Sequence, residues 1–107
     1  MTELLNEQAF RMKADEALES LQRSLLDLAD DEGFEVELQG GVLNLLFEEP
    51  TAARFVISPN APVRQIWVSA LVKSYKLGWS PERAAFVLGD DTLDTLITRL
   101  IHTQLGH

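Results

Sequence analysis

The chain has 107 residues, a formal net charge of −8 and no cysteine. That length supports one domain with one core, spanning residues 1–107. The missing cysteines exclude disulfides, thiolate metal sites and cysteine nucleophiles. The acidic balance argues against a general nucleic-acid binder, which needs cationic contacts to phosphate, and favours cations or basic protein surfaces as partners.

Hydrophobic residues make up 46% of the chain, but no apolar run approaches the ~20 residues of a membrane span. The start, Met1-Thr2-Glu3-Leu4-Leu5-Asn6-Glu7, lacks a basic region followed by an apolar block, so neither a secretory signal nor an Arg-rich transit peptide is expected there. Two histidines, His102 and His107, are too few for a His-rich transition-metal site.

In chain order, residues 6–31 read as a helix. Phe10, Ala14, Ala17, Leu18, Leu21, Leu25 and Leu28 fall at spacings of three and four on one stripe, and Gly33 is a stop signal. Residues 34–38 alternate apolar and acidic, as in a half-buried strand. Gln39-Gly40-Gly41 is a turn, and residues 42–47 complete a hairpin. Pro50 marks the next break. Phe55-Val56-Ile57 and residues 65–69 are the third and fourth strands, joined through Pro59 and Pro62. Residues 71–77 are a candidate fifth strand, 78–81 a turn and 84–88 a sixth strand. Asp91 or Thr92 can cap a last helix, in which Leu93, Leu96, Ile97, Leu100, Ile101 and Leu105 form a second stripe; Gly106 and His107 end the chain. Helix, about six strands with short connections, then helix predicts an antiparallel sheet with both helices on one face: an α+β, two-layer α/β sandwich.

No phosphate-cradling Gly loop, nucleophile elbow, paired-His motif or EF-hand spacing occurs. Two other features invite a functional reading. In the fourth strand Ile66 and Val68 point to the core, so Gln65 and Trp67 share the outer face near Arg64. Trp and Arg are enriched at binding hot spots; alternatively a loop or helix covers this Trp. The second feature is an acidic edge: Asp27, Asp30, Asp31 and Glu32 crowd the end of the first helix, Glu19 lies two turns earlier, and Glu35 and Glu37 follow on the first strand. Hard cations such as Fe²⁺ and Fe³⁺ prefer such oxygen ligands, and a basic protein patch would be attracted equally. Acids at a helix C-terminus oppose the macrodipole at about 0.3–1 kcal/mol each. A solvated face that blunts an edge strand is the simpler alternative.

The chain resembles the frataxin family, including the bacterial CyaY proteins, over about residues 9–105. Ala14-Asp15-Glu16-Ala17-Leu18 resembles the start of the family's first helix. Gly41-Val42-Leu43 resembles its first hairpin, and Thr92-Leu93 with Leu96 its final helix. The most specific stretch runs from Phe55-Val56-Ile57 through Pro62 to Gln65-Ile66-Trp67-Val68-Ser69. The resemblance implies a role in iron–sulfur cluster assembly as iron donor or regulator, with no built-in cofactor. It implies weak iron binding on a ridge of Glu19, Asp27, Asp30, Asp31, Glu32 and Glu35. It also implies docking on a cysteine desulfurase and iron–sulfur scaffold protein through Asn60, Arg64, Gln65 and Trp67. The implied state is a monomer, capable of iron-dependent oligomerisation, in the bacterial cytoplasm or, for a processed eukaryotic chain, the mitochondrial matrix.

The sequence departs from the family pattern in several places. Arg23 and Leu26 stand where acids are usual, Ser58 and Val63 replace typical residues, the loop after Ser69 is short, and Tyr75-Lys76 replaces an aromatic-Asp pair. A small acidic chaperone of the type III secretion kind is the alternative reading, and a ferroxidase activity is a weaker third.

Overall fold

In the computed structural model, which describes residues 5–106, Asn6 starts the first helix. Its side-chain oxygen accepts from the Ala9 N–H at 2.7 Å. Helix α1 (Glu7–Glu32) runs for 26 residues without Gly or Pro. It stops at Gly33, whose left-handed φ of 81° lets its N–H bond back to the Ala29 carbonyl. Phe10, Ala14, Leu18, Leu21, Leu25 and Ala29 are its buried residues. Ala17 and Leu28, expected in the stripe, are half-buried at its border. Residues 1–4 and the expected end at His107 lie outside the described residues.

The strands form a seven-stranded sheet in sequential order, each antiparallel to the next. They are β1 (Glu35–Gln39), β2 (Val42–Phe47), β3 (Ala53–Asn60), β4 (Gln65–Ala70), β5 (Lys73–Ser80), β6 (Ala85–Leu88) and β7 (Asp91–Thr92). A 3₁₀ turn (Ala61–Val63) joins β3 to β4, and α2 (Leu93–Leu105) closes the fold. The α+β architecture is the expected one, with seven strands in place of about six.

Several boundaries differ from the expected ones, and β3 is longer, Ala53–Asn60 in place of 55–57. The first strand begins at Glu35 and not at Phe34, because the Phe34 N–H donates back to the Ala29 carbonyl at 3.2 Å in the helix cap; the Phe34 ring is buried against Phe47, with centroids 4.7 Å apart. β5 begins at Lys73 and not at Leu71, because Leu71 and Val72, with left-handed φ of 53° and 57°, make the turn from β4; it continues through Gly78-Trp79-Ser80, expected as a turn. Gly78 is not among the positive-φ glycines, and Trp79 packs edge-on against Phe86 at 5.2 Å, so packing holds the strand past the glycine. The short β7 pairs with β6 just before α2 begins.

The core lies between the helices and one sheet face. Leu43, Leu45 and Phe47 alternate inward on β2, Phe55 and Ile57 on β3, Ile66, Val68 and Ala70 on β4. Phe47 meets Phe55 at 4.9 Å and Phe10 reaches Phe86 edge-on at 5.8 Å. Buried Gln104 is satisfied by donating to the Thr51 carbonyl at 2.9 Å, which fastens the end of α2 to the β2–β3 turn. Phe55→Ala should cost about 3–5 kcal/mol in urea unfolding, because the surrounding aromatic and aliphatic side chains cannot collapse into the space.

At the start of α2, Thr92 accepts from the Thr95 N–H while the Thr95 hydroxyl accepts from the Thr92 N–H, a reciprocal cap. Asp91 accepts from Arg99 at 2.9 Å through one oxygen and lies 2.7 Å from it through the other. This bond holds the Asp91 carboxyl below the ordinary carboxylate range; the Thr95 hydroxyl adds to it and desolvation opposes it. The depressed value means that the pair's stabilisation is complete above the unfolded value of about 3.9 and fades as pH falls through the folded one. An NMR titration should place the Asp91 midpoint below about 3.9, and Arg99→Ala should raise it.

Candidate functional site

With both helices on one side, the outward residues of the strands form an open polar face. The register sets Ser58, Trp67 and Lys76 side by side across β3, β4 and β5. Trp67 is 37% exposed, so neither loop nor helix covers it. Its indole N–H donates to the Gln65 side-chain oxygen at 3.0 Å, which fixes the ring's orientation. The Lys76 ammonium lies 4.8 Å from the ring centroid, a cation–π contact. Val56, Ser58, Ser69, Ser74, Trp67 and Lys76 line a shallow depression beside the ring, with no acid among them.

Asn60 pairs with Gln65 across the strands and so shares this face. Arg64 does not. It sits after the 3₁₀ turn with a left-handed φ of 54°, and its Nε donates to the Leu5 carbonyl at 3.0 Å. A second guanidinium nitrogen donates to the Ala61 carbonyl. Arg64 thus ties the segment before α1 to the β3–β4 connection. Lys76 belongs on the open face beside Trp67 but stood in the sequence only as a reversed charge; the hairpin register opposite Trp67 is the signal that would have placed it.

The acidic residues line a border instead of a closed cluster. Asp27, Asp30 and Asp31 are exposed on the last turns of α1, where no basic residue offsets them, and Glu32 ends the helix. Glu35 follows across Gly33 and points, with Glu37, to the open face at the sheet edge. Glu19 is apart from these, about 12 Å along the helix from Asp27 at 1.5 Å per residue. It lines a depression with Asp15, Leu38 and Gly41, so its acidic neighbour is Asp15, one turn earlier. That i,i+4 pair was legible in the sequence but not singled out. Arg23 and Leu26 are exposed between Glu19 and Asp27. Among the described residues no three His, Asp or Glu side chains are gathered as they stand to hold a metal ion.

A sequence model of the frataxin-like domain matches residues 3–107. The chain belongs to the frataxin-like family. This frataxin-like chain is 25% identical over 93 residues to the iron-sulfur cluster assembly protein CyaY of Ectopseudomonas mendocina, a match covering 83% of each chain. The protein of the same name from Pseudomonas syringae pv. syringae is 27% identical over 93 residues, again with 83% of each chain covered. Among solved structures, the frataxin from Psychromonas ingrahamii superposes with a TM-score of 0.71 over 96% of this chain and 94% of its own; at 19% identity this speaks to the fold.

The geometry separates two arginine and tryptophan roles that the frataxin-like resemblance grouped together. Arg64→Gly keeps the left-handed backbone and removes both guanidinium bonds, and should cost about 1.5–3 kcal/mol. Trp67→Ala should cost about 1 kcal/mol or less. Parallel urea titrations check the order.

Proposed function

We propose that this chain is an accessory protein of iron–sulfur cluster assembly. It docks on a cysteine desulfurase–scaffold complex through the open sheet face and carries iron as loosely held cargo on its acidic border. The observation that carries the reading is Trp67, exposed on the face both helices leave open and held in orientation by Gln65 and Lys76. An oriented aromatic ring loses little freedom on binding, which is why such residues anchor interfaces. Membership of the frataxin-like family and relatives named for iron–sulfur cluster assembly support the same role.

The border supports weak cation capture. Asp27 with Asp30 or Asp31 lies at helical spacing that lets two carboxylates share one hard ion, with water filling the remaining positions. Such sites discriminate poorly among divalent ions. The role is that of a regulator or donor and not a catalyst, in a monomer able to associate when iron bridges its borders.

Trp67→Arg should weaken binding to the desulfurase–scaffold complex by at least about tenfold, with an unchanged circular dichroism spectrum. Wild-type affinity in that folded variant would remove the docking assignment. An anaerobic Fe²⁺ titration should move amide signals within residues 15–37. Silence at millimolar iron would leave the border a solvated or protein-binding edge.

A further inference from the structure

Docking through Trp67 has a consequence for its neighbour Lys76. The two residues lie directly opposite each other on β4 and β5, and the ammonium stands 4.8 Å from the ring centroid. A partner that seats on the ring also covers that ammonium. The cation–π contact engages one side of the charge and leaves its N–H donors to water. Among the described residues no carboxylate lies within ion-pair distance of Lys76. The carboxylates that the strands place on this face, Glu35 and Glu37, are on β1, four strands from β5, roughly 19 Å at about 4.8 Å per strand. That exceeds the Debye length of about 8 Å at physiological salt. An ammonium taken out of water without a counter-charge is strongly unfavourable. The missing charge therefore has to come from the partner.

The immediate surroundings suit an acceptor. Ser58 stands opposite Trp67 across β3 and β4, and Ser69 stands opposite Ser74 across β4 and β5. These three serines line the depression beside the ring together with Val56 and Lys76, and no acid is among its lining residues. None of the three hydroxyls has a hydrogen-bond partner among the described residues. The indole N–H, by contrast, is already engaged by Gln65. A carboxylate entering here meets one cation and three free hydroxyl donors, with Val56 and the ring edge beside its carbon stem. Charge-assisted bonds of this kind are about twice as strong as neutral ones.

We propose that the docking face receives a carboxylate from its protein partner, an Asp or Glu side chain that pairs with Lys76 and accepts from the serine hydroxyls, so that Lys76 selects the partner surface. This rests on the reading that the open face docks on the desulfurase–scaffold complex, and that complex is the probe. The sign of one change separates local pairing from long-range attraction. The chain carries a net charge of −8, so a partner surface that is basic throughout would bind more tightly once Lys76 is neutralised. Lys76→Met keeps an unbranched stem against Trp67 and removes the charge; it should instead weaken binding by at least about tenfold, with an unchanged circular dichroism spectrum. Lys76→Arg should retain most of the affinity. Alanine substitution of the exposed Asp and Glu residues of the complex, one at a time, should find one whose loss costs no further affinity in the Lys76→Met background.

Unchanged or higher affinity in Lys76→Met, with Trp67→Ala still weakening binding, overturns the carboxylate and leaves docking by the open face standing. Wild-type affinity in both variants removes the open face and the proposal with it. The absence of any acid on the complex coupled to Lys76 also overturns it. Self-association of the wild type in analytical ultracentrifugation, lost in Lys76→Met, would make a second copy's acidic border the source of the carboxylate and overturn the assignment to the complex.

Discussion

One face of the sheet is apolar at every second residue of β2, β3 and β4, and everything else in the molecule follows from covering it. Side chains alternate with a period of two, so slipping any of these strands by one residue would turn its inward set to solvent. Leu43, Leu45, Phe55, Ile57 and Ile66 are each fully buried, which fixes the register of the sheet's centre. The α1 stripe and the α2 stripe are the two covers. Because both lie on the same side, the opposite face is left to Asn60, Gln65, Trp67, Ser69 and Lys76, and its composition is released from the demands of the core.

That division of labour also segregates charge. The acids gather at the end of α1 and along β1, where they work against the helix dipole. The cations Arg54 and Lys76 lie on the outer face. In a strongly acidic chain the long-range field would attract basic partners, while the charged side chains of β3, β4 and β5 are all cationic. A partner meeting the sheet face and a cation meeting the helix end therefore encounter different electrostatics on one small protein.

What the sequence made legible was periodic. α1, β2, β4 and α2 were readable because their apolar residues repeat at helix or strand spacing over several turns or rungs. Gly78 next to Ser80-Pro81 carries a turn's composition and shortens the expected fifth strand; the pairing with β6 and the Trp79–Phe86 contact keep it extended. β7 is two residues long, below any period. The site divided in the same way. Trp67 and Gln65 could be placed from alternation along one strand. Arg64 could not, because its direction depends on a left-handed residue and a bond to Leu5, 59 residues away. Lys76 required cross-strand register. Glu19 shares the helix with the other acids but stands two turns from them, and a linear list of carboxylates conceals that distance.

The strictly sequential strand order bears on how the chain finds this fold. Every strand pairs with its immediate neighbour in sequence, so the sheet can grow one short loop at a time, with little entropy lost at each closure. The long-range step is the docking of the first half of α1, whose Phe10 must reach Phe86 from the far end of the chain. The sheet can thus assemble from its hairpins before α1 settles across it. By the same geometry, the beginning of α1 is fastened late and by residues distant in sequence: Arg64 holds Leu5, Phe10 meets Phe86 and Lys13 lies over Trp79.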